Sequence, residues 1–346
     1  MDYSNLNPKN IIIRMPNWLG DLVMATPVIE DIRAKWPEAQ ITAMCQSNVA
    51  PILQKDPRLT TIFSFKRPSG WLHRSAVRDV IRTLKHNQYD LGILLTNSFS
   101  SAWYFWRGQV QNRIGYQGHY RSWLLSQAVP YPKEIETQHL VKTYKMLLEP
   151  LGIPLSESDP KLFITDEERK SAQELLKQQG LSFGDILVGI NPGAAFGTAK
   201  CWLPERFQEV TKKLLTYPNV KIVYFGDPAG APLVNMICQD FPEQVINLAG
   251  KTNLRQLMAL IQLCQIFLTN DSGPMHIAAA LGTPLLALFG STSDVKTGPY
   301  KIGKVIHKHV ECSPCYKRVC PIDFKCMRAI SAEEVFNDLK NLIEKN

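Results

Sequence analysis

The sequence predicts an α/β protein made of two consecutive doubly wound domains, each built on a parallel sheet. Three observations lead there. At 346 residues the chain has the length of two domains. Short β-branched and aliphatic runs alternate with longer amphipathic stretches, the βαβ rhythm of a sheet covered on both faces. That rhythm stops at a turn-rich segment and then starts again.

In the first half the strand-like runs are Ile11–Met15, Ile41–Met44, Thr61–Phe65 and Leu91–Leu95. The stretches 22–36 and 73–87 between them space their apolar residues three and four apart, which predicts helices. The segment from Gly152 to Pro160, Gly-Ile-Pro-Leu-Ser-Glu-Ser-Asp-Pro, is dense in turn formers and reads as a linker. A second set of strands follows at Ile186–Ile190, Lys221–Phe225, Ile266–Thr269 and Leu285–Phe289. A last helix over 331–344 opens at Ser331 with Glu334 three residues on, the spacing of a capping box. The expected division is a first domain over 1–155, a second over 156–330, and a C-terminal helix over 331–346.

Apolar residues make up 45% of the chain and charged residues 20%, which excludes wholesale disorder. No uncharged apolar run approaches the ~18–20 residues of a membrane span. The start, Met1-Asp2-Tyr3-Ser4-Asn5, lacks the basic-then-apolar plan of a secretory signal. A soluble, cytoplasmic protein is expected. The formal charge is +8, and residues 1–150, with 18 Lys and Arg against 11 Asp and Glu, carry +7 of it. The first half is therefore expected to meet an anionic partner or surface. There is no RNP-like aromatic strand, no finger spacing with paired histidines and no basic helix, so nucleic acid is not the expected partner.

Four features carry chemistry. The loop Pro16-Asn17-Trp18-Leu19-Gly20-Asp21 follows the first strand and opens a helix. A dinucleotide enzyme would place G-x-G-x-x-G there. One glycine and an acid argue against that, since a carboxylate repels pyrophosphate; Asp21 reads equally as a helix-start carboxylate. The loop Asn191-Pro192-Gly193-Ala194-Ala195-Phe196-Gly197-Thr198-Ala199-Lys200-Cys201-Trp202 is small and ends near a lysine, as a phosphate-holding loop does. A plain strand-to-helix connection with a solvated lysine reads the same way. In Thr269-Asn270-Asp271-Ser272-Gly273-Pro274-Met275-His276 a strand runs through an acid into a Ser-Gly helix start, where free N–H groups make an anion site. Asp271 is placed to accept from sugar hydroxyls, while His276 is equally readable as a buried structural residue. Finally, Cys312-x2-Cys315-x4-Cys320-x5-Cys326 is open to three readings. One is a structural zinc, and the others are packed free thiols or a bridge.

Together these loops resemble the lipopolysaccharide heptosyltransferase family, glycosyltransferase family 9. The residues that carry the resemblance are Asn17–Met24, Asn97-Ser98-Phe99, Arg113-Ile114-Gly115-Tyr116, Pro192–Trp202 and Thr269–His276, in the family's order along nearly the whole chain. The Asn-Ser-Phe and Pro-Gly-Ala-x-Phe-Gly elements favour the branch that adds the second core heptose over the one that adds the first. The chain departs from the family's usual Gly-Pro-Ala-Lys-Arg-Trp loop at Thr198 and Cys201.

The resemblance implies a GT-B fold, two Rossmann-like domains facing across a cleft, the first for the acceptor and the second for ADP-heptose. It implies inverting, metal-independent transfer of L-glycero-D-manno-heptose from ADP-heptose to the first heptose of the inner core, with no cofactor needed for catalysis. The absence of an Asp-x-Asp pair agrees. The family's acceptor-side carboxylate falls on Asp21, the expected general base. Donor contacts fall on Asn191, Gly193, Lys200, Asp271, Ser272, Gly273, Met275 and His276, and a ribose-side acid found in part of the family falls near Asp227. The acceptor, heptosylated Kdo-lipid A, is a phosphorylated glycolipid at the inner face of the inner membrane, so a peripheral membrane contact is expected. Asn17, Asn97, Arg113 and Arg121 are the leading acceptor contacts, the two arginines because they read as loop residues. Arg58, Lys66, Arg67, Arg74 and Arg78 are further candidates. The aromatic run Trp103–Trp106 is read as core. The rival readings are another family-9 transferase with a different donor or acceptor, and a non-enzymatic nucleotide- or nucleic-acid-binding protein.

Overall fold

The computed structural model describes residues 3–66, 73–241 and 245–344, with the side chains of His73 and Arg74 left aside. The chain divides into two compact units, residues 1–163 and 164–346. Each contains one sheet of six parallel strands. In the first, β1 (Asn10–Arg14), β2 (Gln40–Gln46), β3 (Thr61–Phe65), β4 (Leu91–Leu94), β5 (Asn112–Tyr116) and β6 (Gln127–Val129) lie in the order β3-β2-β1-β4-β5-β6. In the second, β7 (Ile186–Asn191), β8 (Val220–Tyr224), β9 (Val245–Asn247), β10 (Ile266–Asn270), β11 (Leu285–Phe289) and β12 (Lys304–His307) lie in the order β12-β11-β10-β7-β8-β9. This is one topology used twice, the doubly wound order whose direction reverses between its first and fourth strands. In register, Ile11 pairs with Ile41 on one side and with Leu91 on the other, and Ile266 pairs with Val188.

The eight strands expected from aliphatic runs are all present. The other four, β5, β6, β9 and β12, are absent from that reading for a physical reason. Three of them end their sheets, and β5 carries Asn112, Arg113 and Gly115, so none offers an apolar run. The helix expected over 73–87 spans His73–Asn87. The one expected over 22–36 is two helices, Leu19–Met24 and Thr26–Lys35. Pro27 has no N–H to give the carbonyl of Val23, and the Thr26 hydroxyl donates to that carbonyl instead, at 2.8 Å.

The boundary lies at Phe163/Ile164 rather than at 155/156, because the turn-rich segment is sewn onto the first unit. Ser156 and Ser158 both donate to Asp31 at 2.7 Å, and the buried Lys145 ammonium bonds the carbonyls of the same two serines. Lys161 donates its N–H to Thr26 and its carbonyl accepts from Arg58. The C-terminal helix, Ala332–Glu344, belongs to the second unit. Its Val335 and Leu339 are buried in one core with Val188, Trp202, Phe207 and Leu286. Ser331 caps it by accepting from the N–H of Glu334 at 3.1 Å, while the Glu334 carboxylate pairs with Lys308. Among the described residues no helix is long and apolar enough to cross a membrane.

Candidate functional site

Open α/β sheets bind ligands at the carboxyl ends of their strands, at the point where strand order reverses. In the first unit that point lies between β1 and β4, and in the second between β7 and β10. The loops singled out from sequence are the ones that leave these four strands: 15–21, 95–98, 192–202 and 271–273.

In the second unit the Lys200 ammonium lies 2.5 Å from the Asp271 carboxylate, with its stem mostly buried. The same carboxylate oxygen accepts from the hydroxyl of Thr292 at 2.5 Å. Lys200 also lies over the ring of Phe196, 4.9 Å from its centre. Asn191, at the end of β7, donates to the Gly193 carbonyl and to Ser272. Asn270 closes the set, accepting from the N–H of Trp202 and donating to the Pro192 carbonyl. Two loops 70–80 residues apart in sequence are thus tied into one wall.

Helix Gly273–Ala280 starts at Ser272, whose hydroxyl bonds Thr269 and leaves the helix start without a side-chain cap. Its first-turn N–H groups are the backbone donors expected for an anion. Met275 and His276 are buried within this helix, so toward a ligand the chain offers the helix amides rather than the Met275 side chain. A Cβ placed on Gly193 would meet open space.

The 192–202 loop is held from behind by the cysteine-bearing segment. Gly197 has φ 154°, and a Cβ there would come within 2.2 Å of the Arg318 carbonyl. That carbonyl accepts from the N–H of Ala199 at 3.0 Å, and the Arg318 guanidinium covers the other residue of the turn, Phe196. The four cysteines of this segment are free thiols, graded from exposed Cys312 to buried Cys326. Burial pushes the Cys326 thiol up, and the charges of Cys312, Cys320 and Cys315 add to that. Among the described residues no three of these sulfurs lie within 4.8 Å of one another. Asp227, near the expected ribose side, accepts from the N–H of Gly230 and closes the turn after β8.

In the first unit Asp21 sits in the first turn of helix Leu19–Met24, partly exposed. Its carboxylate accepts from the hydroxyl of the buried Tyr144 at 3.2 Å. Burial, and then the charge of Asp21, push the Tyr144 phenol well above its ordinary range, so Tyr144 keeps its proton and serves as a donor. Sequence reasoning missed Tyr144, which lies 123 residues away with no motif around it. It missed Thr292 for the same reason. Asn17 is exposed and accepts from Arg14 at 2.6 Å. Asn97, at the end of β4, accepts from Arg121 at 3.0 Å and donates to Tyr131.

The two arginines expected to touch the acceptor do other work. Arg113 is on β5, near its amino end, not in a loop. Its guanidinium donates to the carbonyls of Leu124, Val110 and Gln111. Arg121 is fully buried and donates to the carbonyls of Tyr116 and Thr96 and to Asn97. Gly115 makes room for it, since a Cβ there would stand 3.0 Å from the guanidinium. Burial lowers the Arg121 pKa to about 10. Arg58 is likewise buried, held by Asp56 and Glu30. Lys66 and Arg78 are exposed. Arg67 and the Arg74 side chain lie outside the described residues. Of the aromatic run, Tyr104 and Phe105 are core, whereas Trp106 is 42% exposed.

Arg121 thus orients Asn97 from below. Replacing it with methionine strands several oxygens and is expected to lower unfolding stability by about 2–4 kcal/mol. A urea titration reads that loss. A raised acceptor KM with unchanged stability would instead return Arg121 to the binding surface.

The model of glycosyltransferase family 9 (heptosyltransferase) matches residues 77–325, which include both donor-side loops. The chain belongs to that family. It is 31% identical to lipooligosaccharide heptosyltransferase 2 of Haemophilus influenzae over 312 residues, 87% of this chain and 89% of that one. It is also 31% identical to lipopolysaccharide heptosyltransferase 2 of Escherichia coli, covering 84% of this chain and 85% of that one. Among solved structures, E. coli ADP-heptose LPS heptosyltransferase II is similar with a TM-score of 0.81 at 27% identity, covering 97% and 99% of the two chains. The fold class is therefore the α/β, GT-B class of these enzymes, two Rossmann-like halves, and the chain is a family-9 heptosyltransferase.

Proposed function

We propose that this heptosyltransferase moves L-glycero-D-manno-heptose from ADP-heptose to the first heptose of the lipopolysaccharide inner core, with inversion and with no metal in the chemical step. One observation carries the donor side of this reading. Lys200, Asp271, Thr292 and the uncapped start of helix Gly273–Ala280 are gathered at the switch point of the second sheet. The relatives named heptosyltransferase 2 align along most of the chain.

Inversion requires a single in-line displacement at the anomeric carbon. The acceptor oxygen forms the new bond as the bond to the diphosphate oxygen breaks, and ADP leaves with the electron pair. Asp21 takes the acceptor proton. Its benefit grows along the reaction, because an alcohol becomes acidic only as its oxygen forms the bond. Tyr144 holds the Asp21 carboxylate in place. Lys200 and the helix amides stabilise the charge that develops on the diphosphate, as preorganised donors do. Asn191, Gly193, Ser272 and Gly273 shape the donor pocket, Met275 and His276 contribute through the backbone of their buried helix, and Asn17 and Asn97 face the acceptor. Arg113 and Arg121 take no part in binding.

The basic excess of the first 150 residues suits a phosphorylated, Kdo-bearing glycolipid at the inner membrane. Exposed Phe99, Trp106 and Trp123 lie together in the same unit, with ring centres 6.1–6.3 Å apart, and support peripheral contact with the bilayer interface.

The reading is tested by incubating purified protein with ADP-heptose and core carrying a single heptose. One added heptose and released ADP are expected. Turnover confined to core lacking heptose would replace the acceptor assignment with that of a first heptosyltransferase.

A further inference from the structure

Beyond β11 and β12 the second unit holds a cluster that the transfer chemistry does not use: Asp294, His307 and His309. Among the described residues it forms a group of three metal-type ligand atoms within 4.8 Å of one another. Asp294 opens the short helix Asp294–Thr297, His307 ends β12, and His309 follows two residues on.

Polar atoms flank both ring nitrogens of His307. Its Nε2 lies 3.2 Å from the Gly290 carbonyl and 2.7 Å from the Ser313 hydroxyl. Ser313 also bonds the Gly290 carbonyl. The tautomer that carries its hydrogen on Nε2 donates to these oxygens and turns the Nδ1 lone pair toward Asp294 Oδ1, 2.9 Å away. A cation seated between Nδ1 and Oδ1 serves both.

A proton would serve His307 alone. It leaves unexplained why His309 Nε2 lies 3.6 Å from the other Asp294 oxygen, with the two imidazoles 4.0 Å apart. The backbone of His309 is left-handed, φ 43°. One divalent ion satisfies the three groups together. A backbone carbonyl on the far nitrogen of His307 is the usual support of a metal-bound imidazole.

We propose that Asp294, His307 and His309 bind a divalent transition-metal ion of the zinc or cobalt kind. His307 ligates through Nδ1, His309 through Nε2 and Asp294 through its carboxylate. Three ligands of this type leave positions for water. The ion clamps the end of β12 to the loop after β11. That loop also carries Thr292, two residues before Asp294, which bonds Asp271. The site rests on no assumption about catalysis.

The test uses the full chain, stripped with chelator, dialysed and titrated with Co2+ while absorbance is recorded. One equivalent is expected to bind with weak visible bands of nitrogen and oxygen ligation. His309→Asn keeps a residue that tolerates the left-handed backbone at an exposed position, and Asp294→Asn removes the anionic ligand. Each is expected to weaken binding at least tenfold, while Ser313→Ala weakens it about tenfold through the supporting hydrogen bond. Cys312→Ser with Cys315→Ser is expected to leave these bands in place. Metal-free thermal melts of His309→Asn and the unaltered chain should coincide. Absence of cobalt binding would overturn the site. So would retention of equal affinity in His309→Asn, or binding seen only through a sulfur-to-cobalt band that the double cysteine variant removes. The last outcome would assign the metal to the cysteine segment.

Discussion

Lys200→Met weakens ADP-heptose binding and slows transfer, by an expected factor of about 10²–10³ in the chemical step, the effect of removing one preorganised donor from a developing anion. The ammonium carries three hydrogens, and its ion pair with Asp271 leaves capacity for a diphosphate oxygen. Its removal acts twice. The leaving group loses a cation, and the Asp271 carboxylate, only 3% exposed, is left with Thr292 as its remaining partner in the wall. Stranding a buried charge costs up to about 3–5 kcal/mol, so the thermal melt is expected to fall as well. Titration calorimetry with ADP and single-turnover transfer separate the two effects. Donor affinity and transfer rate equal to those of the unaltered chain would place Lys200 outside the site.

Asp21→Asn is the complementary case. The amide keeps the size of the side chain and a carbonyl oxygen for Tyr144, but accepts no proton. A general base contributes about 10²–10⁴-fold, or roughly 3–5 kcal/mol. A loss of turnover in that range is expected, with ADP-heptose affinity unchanged, because the proposed role of Asp21 is toward the acceptor. Near-normal turnover would remove Asp21 as the base. Tyr144→Phe deletes only the hydrogen bond that orients the carboxylate. A hydrogen bond to a charged group is worth about 1.5–3 kcal/mol, so its loss lowers turnover about tenfold or somewhat more.

The parts of the fold legible in the sequence were those whose signal is local. Seven of the eight runs became strands because a parallel strand buried on both faces must be apolar throughout, and that shows in a five-residue window; the eighth, β3, ends its sheet and was legible from its β-branched and aromatic residues instead. β6 and β9 have three residues each and end their sheets, where polar residues are tolerated, so no such window exists for them. The break at Ala25 was written in Pro27, but whether a proline ends or splits a helix depends on what receives the freed carbonyl. Here that is the Thr26 hydroxyl.

The candidate site divides in the same way. By itself the sequence determined which loops lie at the carboxyl ends of the central strands: small residues, an acid and a lysine directly after strands mark those ends of a doubly wound sheet, and one strand with its loop is a continuous stretch of chain. Only the tertiary structure decided partners. It joined Lys200 to Asp271 and Thr292, set Tyr144 on Asp21, and turned Arg113 and Arg121 inward to backbone carbonyls. A charged side chain looks the same in sequence whether it faces solvent or a buried oxygen. What separates the two is the set of atoms that folding brings within hydrogen-bond reach of it, from 2 to 25 residues away for Arg113 and Arg121, 71 for Lys200 and Asp271, and 123 for Tyr144 and Asp21.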